Sequence, residues 1–272
     1  MQMPKIKFSK IYTNGSCADR TRMAVDLNKQ IYSDIYPLYQ NSDFANIRNI
    51  ERILKKNMPE SIFFRLKKLT PDEGEKYAGG LITYFFNNKV VKYKISLPAK
   101  NNKLHISNIP TLMHESMHLF DVLLNPKYIK TAEKVKEKKL FDISQDIYEK
   151  CYYNNEGYLP LYKNKRLLKK TKKETNHSLK SLKAEDKILV LNYIRECLQG
   201  EIKAFCETQK YVKLLSSNKR KCKKIELDNY QKSYMFEEKL DIVNSILYKT
   251  IKKERNNNFI HNKLKFFIYY FA

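Results

Sequence analysis

One five-residue pattern constrains this chain more than any other feature: His114-Glu115-Ser116-Met117-His118. Two histidines four positions apart project from one face of a helix, about one turn apart, so both imidazoles can bind the same metal ion. Glu115 follows the first histidine, and on a helix its carboxylate lies beside the metal, where it can take a proton from a bound water. The pattern therefore predicts a catalytic metal site, provided that these residues are helical.

The flanking residues predict that helix over 109–124. Ser107 or Asn108 can act as its N-cap, and Pro110 suits the first turn because a proline has no N–H to leave unpaired there. Apolar residues recur at spacings of three and four along the segment, and a proline shortly after residue 124 ends it. The alternative is an ordinary core helix that happens to carry two histidines.

A tetrahedral zinc site needs a third protein ligand and keeps its fourth position for water. One large class of enzymes with this motif has Gly three residues after the second His and His or Asp three further on, but Asp121 and Leu124 stand there. A downstream helix over 184–216 is the remaining source. On it, Glu201 adjoins the apolar face and has apolar or small neighbours, unlike Glu196 and Glu207. Glu201 is the predicted ligand, against the alternative of a solvated helix carboxylate.

The pattern His-Glu-x-x-His, followed by a helix with Glu-x-x-Ala, resembles the zincin metallopeptidases and, among them, the gluzincins, whose third ligand is a glutamate. The resemblance covers two short segments, roughly a tenth of the chain. It implies one catalytic Zn²⁺ bound by His114, His118 and Glu201, with Glu115 as general base. The implied activity is that of a zinc metalloendopeptidase with a polypeptide substrate.

Two further residues are candidates for supporting roles around the metal. Many gluzincins carry an acidic residue four positions after the ligand glutamate, where it orients a histidine, but this chain has Phe205 there. The orienting role is assigned instead to Asp121, one turn beyond His118. His105, just before the metal helix, is a candidate for a supporting contact or for a transition-state donor, although a lone histidine is more often structural.

The remaining periodicity predicts helices, then a β-hairpin over 77–98, then helices, which makes a predominantly helical α+β fold. The resemblance implies a zincin-like domain in which a strand before the metal helix pairs with an extended substrate; a hairpin that only covers the core is the alternative. We expect one domain over 1–272, with N-terminal helices and a small antiparallel sheet in 1–106 and the helical, metal-binding part in 107–272. The basic segment 163–183 is expected to be a mobile loop.

The formal net charge of +24 raises the question of a nucleic-acid partner. The lysines are scattered along the chain and no recognised nucleic-acid motif accompanies them, so a solvated basic surface is favoured and no specific nucleic acid is expected. Two alternatives to the peptidase remain: a catalytically silent zincin-like interaction module, and a basic nucleic-acid-binding protein in which the motif is fortuitous.

The cellular location is also constrained by what the sequence contains. Five widely spaced cysteines without a Cys-x-x-Cys pair favour free thiols in a reducing compartment. The basic N-terminus is not followed by an apolar run, and no stretch reaches the apolar length of a membrane span. We therefore expect a cytoplasmic protein, or one exported without a classical signal peptide, which leaves both a housekeeping peptidase and a secreted effector or toxin open.

Overall fold

The computed structural model describes residues 17–58, 63–68, 80–152, 165–217 and 236–271. Most of them are helical. The helices are α1 (Cys17–Ile35), α2 (Ile47–Lys56), α3 (Ile109–Leu124), α4 (Pro126–Glu137), α5 (Phe141–Tyr152), α6 (Lys165–Ser178), α7 (Ala184–Ser217) and α8 (Phe236–Phe271), with short 3-10 turns at Tyr36–Tyr39 and Ile106–Asn108. The strands are β1 (Phe44–Asn46), β2 (Phe63–Lys68), β3 (Gly80–Phe86), β4 (Lys89–Leu97) and β5 (Lys103–His105). This composition confirms the predominantly helical α+β character predicted from the sequence.

The chain divides into two compact units, whereas the sequence predicted a single domain. The first unit comprises residues 1–133 and 200–230, and the second comprises 134–199 and 231–272. Helix α7 contributes its residues from Gly200 onwards to the first unit and its earlier residues to the second. The predicted metal ligands all belong to the first unit.

The first unit contains a three-stranded sheet in the order β2-β4-β3. The predicted hairpin is present as β3 and β4, which pair antiparallel; residues 77–79 of the predicted range lie outside the described residues. The hairpin turn is formed by Asn87 and Asn88, whose φ angles of 46° and 63° belong to the left-handed region that asparagine tolerates. Strand β2 pairs with β4 in parallel, so the sheet is mixed and not purely antiparallel. Among the described residues, β3 has a neighbour on one side only.

The core of the first unit lies between the inner face of this sheet and helices α1, α2 and α3. Helix α3 is buried on most sides, and its apolar residues at Leu112, Met113, Met117 and Phe120 are 0–1% exposed. A buried polar contact joins α1 to α3, since the Asn28 side-chain amide donates to the Met113 carbonyl at 3.1 Å. The predicted start of α3 is correct in position, although the Asn108 amide donates to the Pro98 carbonyl and does not cap the helix.

In the second unit, a helix replaces the basic loop predicted over 163–183. Helix α6 occupies Lys165–Ser178, while residues 163–164 lie outside the described residues. The reason is a buried stripe at a spacing of four, formed by Leu167, Thr171, Thr175 and Leu179. Two of these residues are threonines, so the stripe is inconspicuous among the lysines around it, yet its spacing is that of a helix face. The charges that favoured a loop lie on the opposite, exposed face.

No helix within the described ranges combines the length and the apolar content needed to cross a membrane.

Candidate metal centre

Helix α3 presents the two motif histidines side by side. The Nε2 atoms of His114 and His118 are 3.0 Å apart, and the two side chains are 12% and 15% exposed. The helix holds them firmly because its remaining faces are packed into the core of the first unit. Both imidazoles therefore direct the same ring nitrogen to one point near the protein surface.

Helix α7 brings Glu201 to that point from 87 positions along the chain. One carboxylate oxygen lies 3.2 Å from the His114 Nε2 atom and the other lies 3.3 Å from the His118 Nε2 atom. The side chain is 12% exposed. Among the described residues, these three side chains form the group that can hold a metal ion, with ligand atoms that all lie within 4.8 Å of one another.

The other two glutamates that the sequence offered on α7 have different partners. Glu196 forms an ion pair with Arg195 at 3.7 Å, and Glu207 forms one with Lys210 in the next turn. Only Glu201 faces the histidines. The structure thus brings together the three ligands that the sequence predicted.

The three candidate ligands interact strongly through their charges. Burial opposes a charge on His118, but the neighbouring Glu201 carboxylate outweighs burial and raises the pKa of His118 to about 9. Burial also favours neutral Glu201, yet the two imidazoles hold the pKa of Glu201 well below its ordinary range. A carboxylate that remains ionised between two ring nitrogens, with little solvent around it, fits a divalent metal at their centre.

Thr208 supports His114 from the far side of the ring. Its hydroxyl oxygen lies 3.5 Å from the His114 Nδ1 atom and donates its own proton to the Ala204 carbonyl at 2.6 Å. With its proton engaged, the hydroxyl accepts from Nδ1–H, which leaves the lone pair of His114 on Nε2, the atom that faces Glu201. Thr208 is 1% exposed. Sequence analysis missed this residue, although it lies two turns beyond Glu201 on the same face of α7.

Phe205 and Gly200 lie beside the two rings. The Phe205 ring meets the His114 ring edge-on with centroids 4.5 Å apart, so Phe205 packs against this histidine and supplies no charge to it. A Cβ atom at Gly200 would lie 3.5 Å from the His118 Nδ1 atom. That is an ordinary van der Waals distance, so an alanine would fit there without displacing the His118 ring.

The two residues predicted to support the metal have other contacts. Asp121 accepts a hydrogen bond from the Lys203 ammonium at 2.8 Å, which ties α3 to α7 beside the ligands. His105 caps the short 3-10 turn before α3, because its Nδ1 atom accepts from the Ser107 N–H at 3.2 Å. Asp121 acts on His118 through its charge, which contributes to raising the pKa of that histidine.

Glu115 lies between the histidine pair and the edge of the sheet. It is 8% exposed, and burial raises the pKa of its carboxyl group. The carboxylate accepts a hydrogen bond from the backbone N–H of Leu81 in β3. A strand N–H that donates to a side chain outside the sheet points away from the paired strand. Glu115 is therefore positioned at the edge of β3 that has no neighbouring strand in the described part of the chain.

Replacing Thr208 with valine should lower zinc affinity roughly 10- to 100-fold, because the His114 ring loses the acceptor that holds its Nδ1 proton. Thr208→Ser keeps the hydroxyl and should bind zinc almost as the wild type does. Competition with a chromophoric chelator measures both affinities. Equal affinity in the valine and serine variants would show that the hydroxyl has no part in orienting His114.

No protein-family model, curated protein or solved structure matches this chain. The site is therefore interpreted from its own geometry.

Proposed function

We propose that this chain is a zinc metallopeptidase with His114, His118 and Glu201 as ligands and Glu115 as general base. The observation that carries the proposal is the convergence of His114, His118 and Glu201 at one point, from two helices far apart in sequence, with Glu115 close enough to interact with all three through charge. A fortuitous motif in a basic nucleic-acid-binding protein would have no reason to bring Glu201 against both histidines. A silent interaction module would have no use for a buried carboxylate beside them.

The donor set favours zinc over other divalent ions. Two imidazoles and one carboxylate are typical zinc ligands, and three protein ligands are the number found in catalytic sites, which keep a fourth position for water or substrate. When bound, the ion supplies Lewis acidity, which polarises a carbonyl group and makes a water molecule easier to deprotonate.

Glu115 supplies the proton transfers. Its carboxylate takes the proton of the attacking water and later delivers it to the amine that leaves. A raised pKa serves both steps, because a more basic carboxylate accepts the proton more readily and still releases it to a leaving amine, which is a stronger base. The hydrogen bond from the Leu81 N–H holds this carboxylate in place at the strand edge.

The edge of β3 supports a peptide substrate over a small molecule. An extended chain can pair with an open strand through backbone hydrogen bonds, independently of its sequence. Since Glu115 contacts the backbone of β3 directly, a chain paired with this strand would pass next to the general base and the metal ligands. Cleavage within a chain, as by an endopeptidase, follows from a strand that accepts an extended segment.

The direct test uses the purified, zinc-loaded chain and a mixture of peptides derived from a denatured proteome. Mass spectrometry should find new internal termini that are absent after treatment with 1,10-phenanthroline and that return when zinc is restored. The chelator-treated sample is the matched control for contaminating serine and cysteine proteases. A zinc-loaded protein that produces no new termini over a long incubation would contradict the peptidase proposal.

A further inference from the structure

The outer face of the three-stranded sheet carries basic and apolar side chains together. This outer face comprises Arg65 and Lys67 of β2, Lys92 and Lys94 of β4, and Ile82, Tyr84 and Phe86 of β3. The register places Arg65, Lys94 and Ile82 in one row across the sheet, and Lys92 opposite Tyr84 in the next. The three strands contain six lysine or arginine residues and no aspartate or glutamate.

The apolar part of this face is unusually exposed. Ile82 and Tyr84 are 38% and 37% exposed, and Phe86 is 67% exposed. Of the six large hydrophobic side chains exposed among the described residues, four belong to this hairpin; the fourth is Val91, the extra residue of a bulge in β4. The opposite face of the sheet packs against the core through Phe64, Leu66, Tyr93 and Ile95, so the exposed residues are not needed for the core. Clustered exposed apolar residues mark interaction sites more often than isolated ones do.

The lysines of the outer face are held next to its aromatic ring. The Lys92 and Lys94 ammonium groups lie 5.1 Å and 5.9 Å from the centre of the Tyr84 ring. Two carboxylates pair with basic residues near the margins of the sheet: Glu51 with Arg65 at 3.4 Å, and Glu133 with Lys89 at 2.9 Å. As far as the described residues show, the centre of the face combines basic and apolar side chains, which suits a partner with acidic and apolar side chains.

We propose that the outer face docks a segment of the polypeptide substrate in which acidic and aromatic or aliphatic residues share the alternate positions that face it. The proposal rests on the proposed peptidase function and adds a substrate class to it. The proposal depends on the closeness of the outer face to the candidate site. Ile82 of the outer face follows Leu81, whose backbone N–H donates to Glu115 at the edge of β3. A chain paired with that edge turns every second side chain toward the outer face, beside Ile82, Tyr84 and Phe86. Acidic residues in the same segment are drawn toward the lysines of β4.

Single-stranded nucleic acid and anionic membranes also bind surfaces that combine aromatic and basic residues. A polypeptide is favoured here because the face borders the strand edge at the candidate metal centre. Neither a nucleic acid nor a membrane can pair with the backbone groups of that edge. A polypeptide can pair with them, and it would also reach Glu115.

The test uses the full chain with Glu115→Gln, so that turnover does not consume the probe. The probe is a short fluorescein-labelled peptide in which Glu, Phe and Tyr occupy every second position and Ser the positions between them, and fluorescence anisotropy measures its affinity. Replacing Lys92 and Lys94 together with Gln, or Tyr84 and Phe86 together with Ser, should weaken binding by roughly tenfold each. The lysine pair should also remove most of the salt dependence of binding.

Matched controls come from exposed residues of the second unit. Lys169→Gln with Lys173→Gln changes the net charge equally, and Tyr248→Ser removes an aromatic side chain that is 67% exposed, as Phe86 is. Both control variants should bind the probe as the parent does. Far-ultraviolet circular dichroism and zinc content confirm that each variant is folded.

Three results would overturn the docking proposal. The first is equal affinity in the outer-face and control variants. The second is equal binding of a peptide with Lys in place of Glu. The third is displacement of the probe by oligo(dT) or by phosphatidylserine vesicles that bind more tightly, which would assign the face to those partners. None of these results depends on zinc or turnover, so they are distinguishable from failure of the peptidase proposal, which the peptide-cleavage assay reports separately.

Discussion

Glu115→Gln is expected to lower peptide hydrolysis by roughly 10²- to 10⁴-fold while leaving zinc bound, because a positioned general base contributes about that much to catalysis. Glutamine has the shape of glutamate, and its amide oxygen can still accept the Leu81 N–H, so the edge of β3 keeps its contact. It cannot take up a proton at neutral pH. The loss should therefore appear in kcat, with little change in KM.

The measurement compares wild type and Glu115→Gln at equal zinc content on a peptide found in the cleavage screen. Glu196→Gln is the control, because it neutralises a carboxylate of α7 that pairs with Arg195 outside the ligand group. That variant should be fully active. Wild-type rates in Glu115→Gln would remove Glu115 from the chemistry, even if the metal site itself proved real.

Glu201→Ala is expected to reduce zinc from about one ion per chain to near zero after dialysis, because a site with two imidazoles alone lacks the third protein ligand of catalytic zinc. The loss should be selective for the metal, and far-ultraviolet circular dichroism compares the fold of the variant with that of the wild type. Elemental mass spectrometry of protein purified without a metal-affinity tag measures the content directly.

A second measurement keeps this prediction independent of activity. A ligand that binds only the folded state raises its stability, so added zinc should raise the Tm of the wild type and leave that of Glu201→Ala unchanged. Glu207→Ala is the matched control, because Glu207 lies on the same helix and pairs with Lys210. Full zinc content in Glu201→Ala would place the third ligand elsewhere in the chain.

The structure and the sequence agree best where a local period decides which residues share a face. A spacing of four puts His114 and His118 together on any helix, and apolar periodicity predicts that α3 is a helix with a buried face. Glu201 could be chosen over Glu196 and Glu207 because its neighbours on α7 are apolar or small. The hairpin of β3 and β4 follows equally from local signals, since two asparagines favour a tight turn.

Tertiary structure decided which groups meet across elements, and a local period carries no information about those meetings. Helical spacing allowed Asp121 to approach His118, but α7 offers Lys203 as a stronger partner, and the hydrogen-bonding role beside His114 passes to Thr208. The burial of Thr171 and Thr175 likewise depends on neighbouring helices, which is why a helix stands where charge predicted a loop. The sequence by itself predicted the three side chains of the candidate metal centre; only packing between helices and strands determined what holds those side chains in place and that Glu115 contacts the edge of β3.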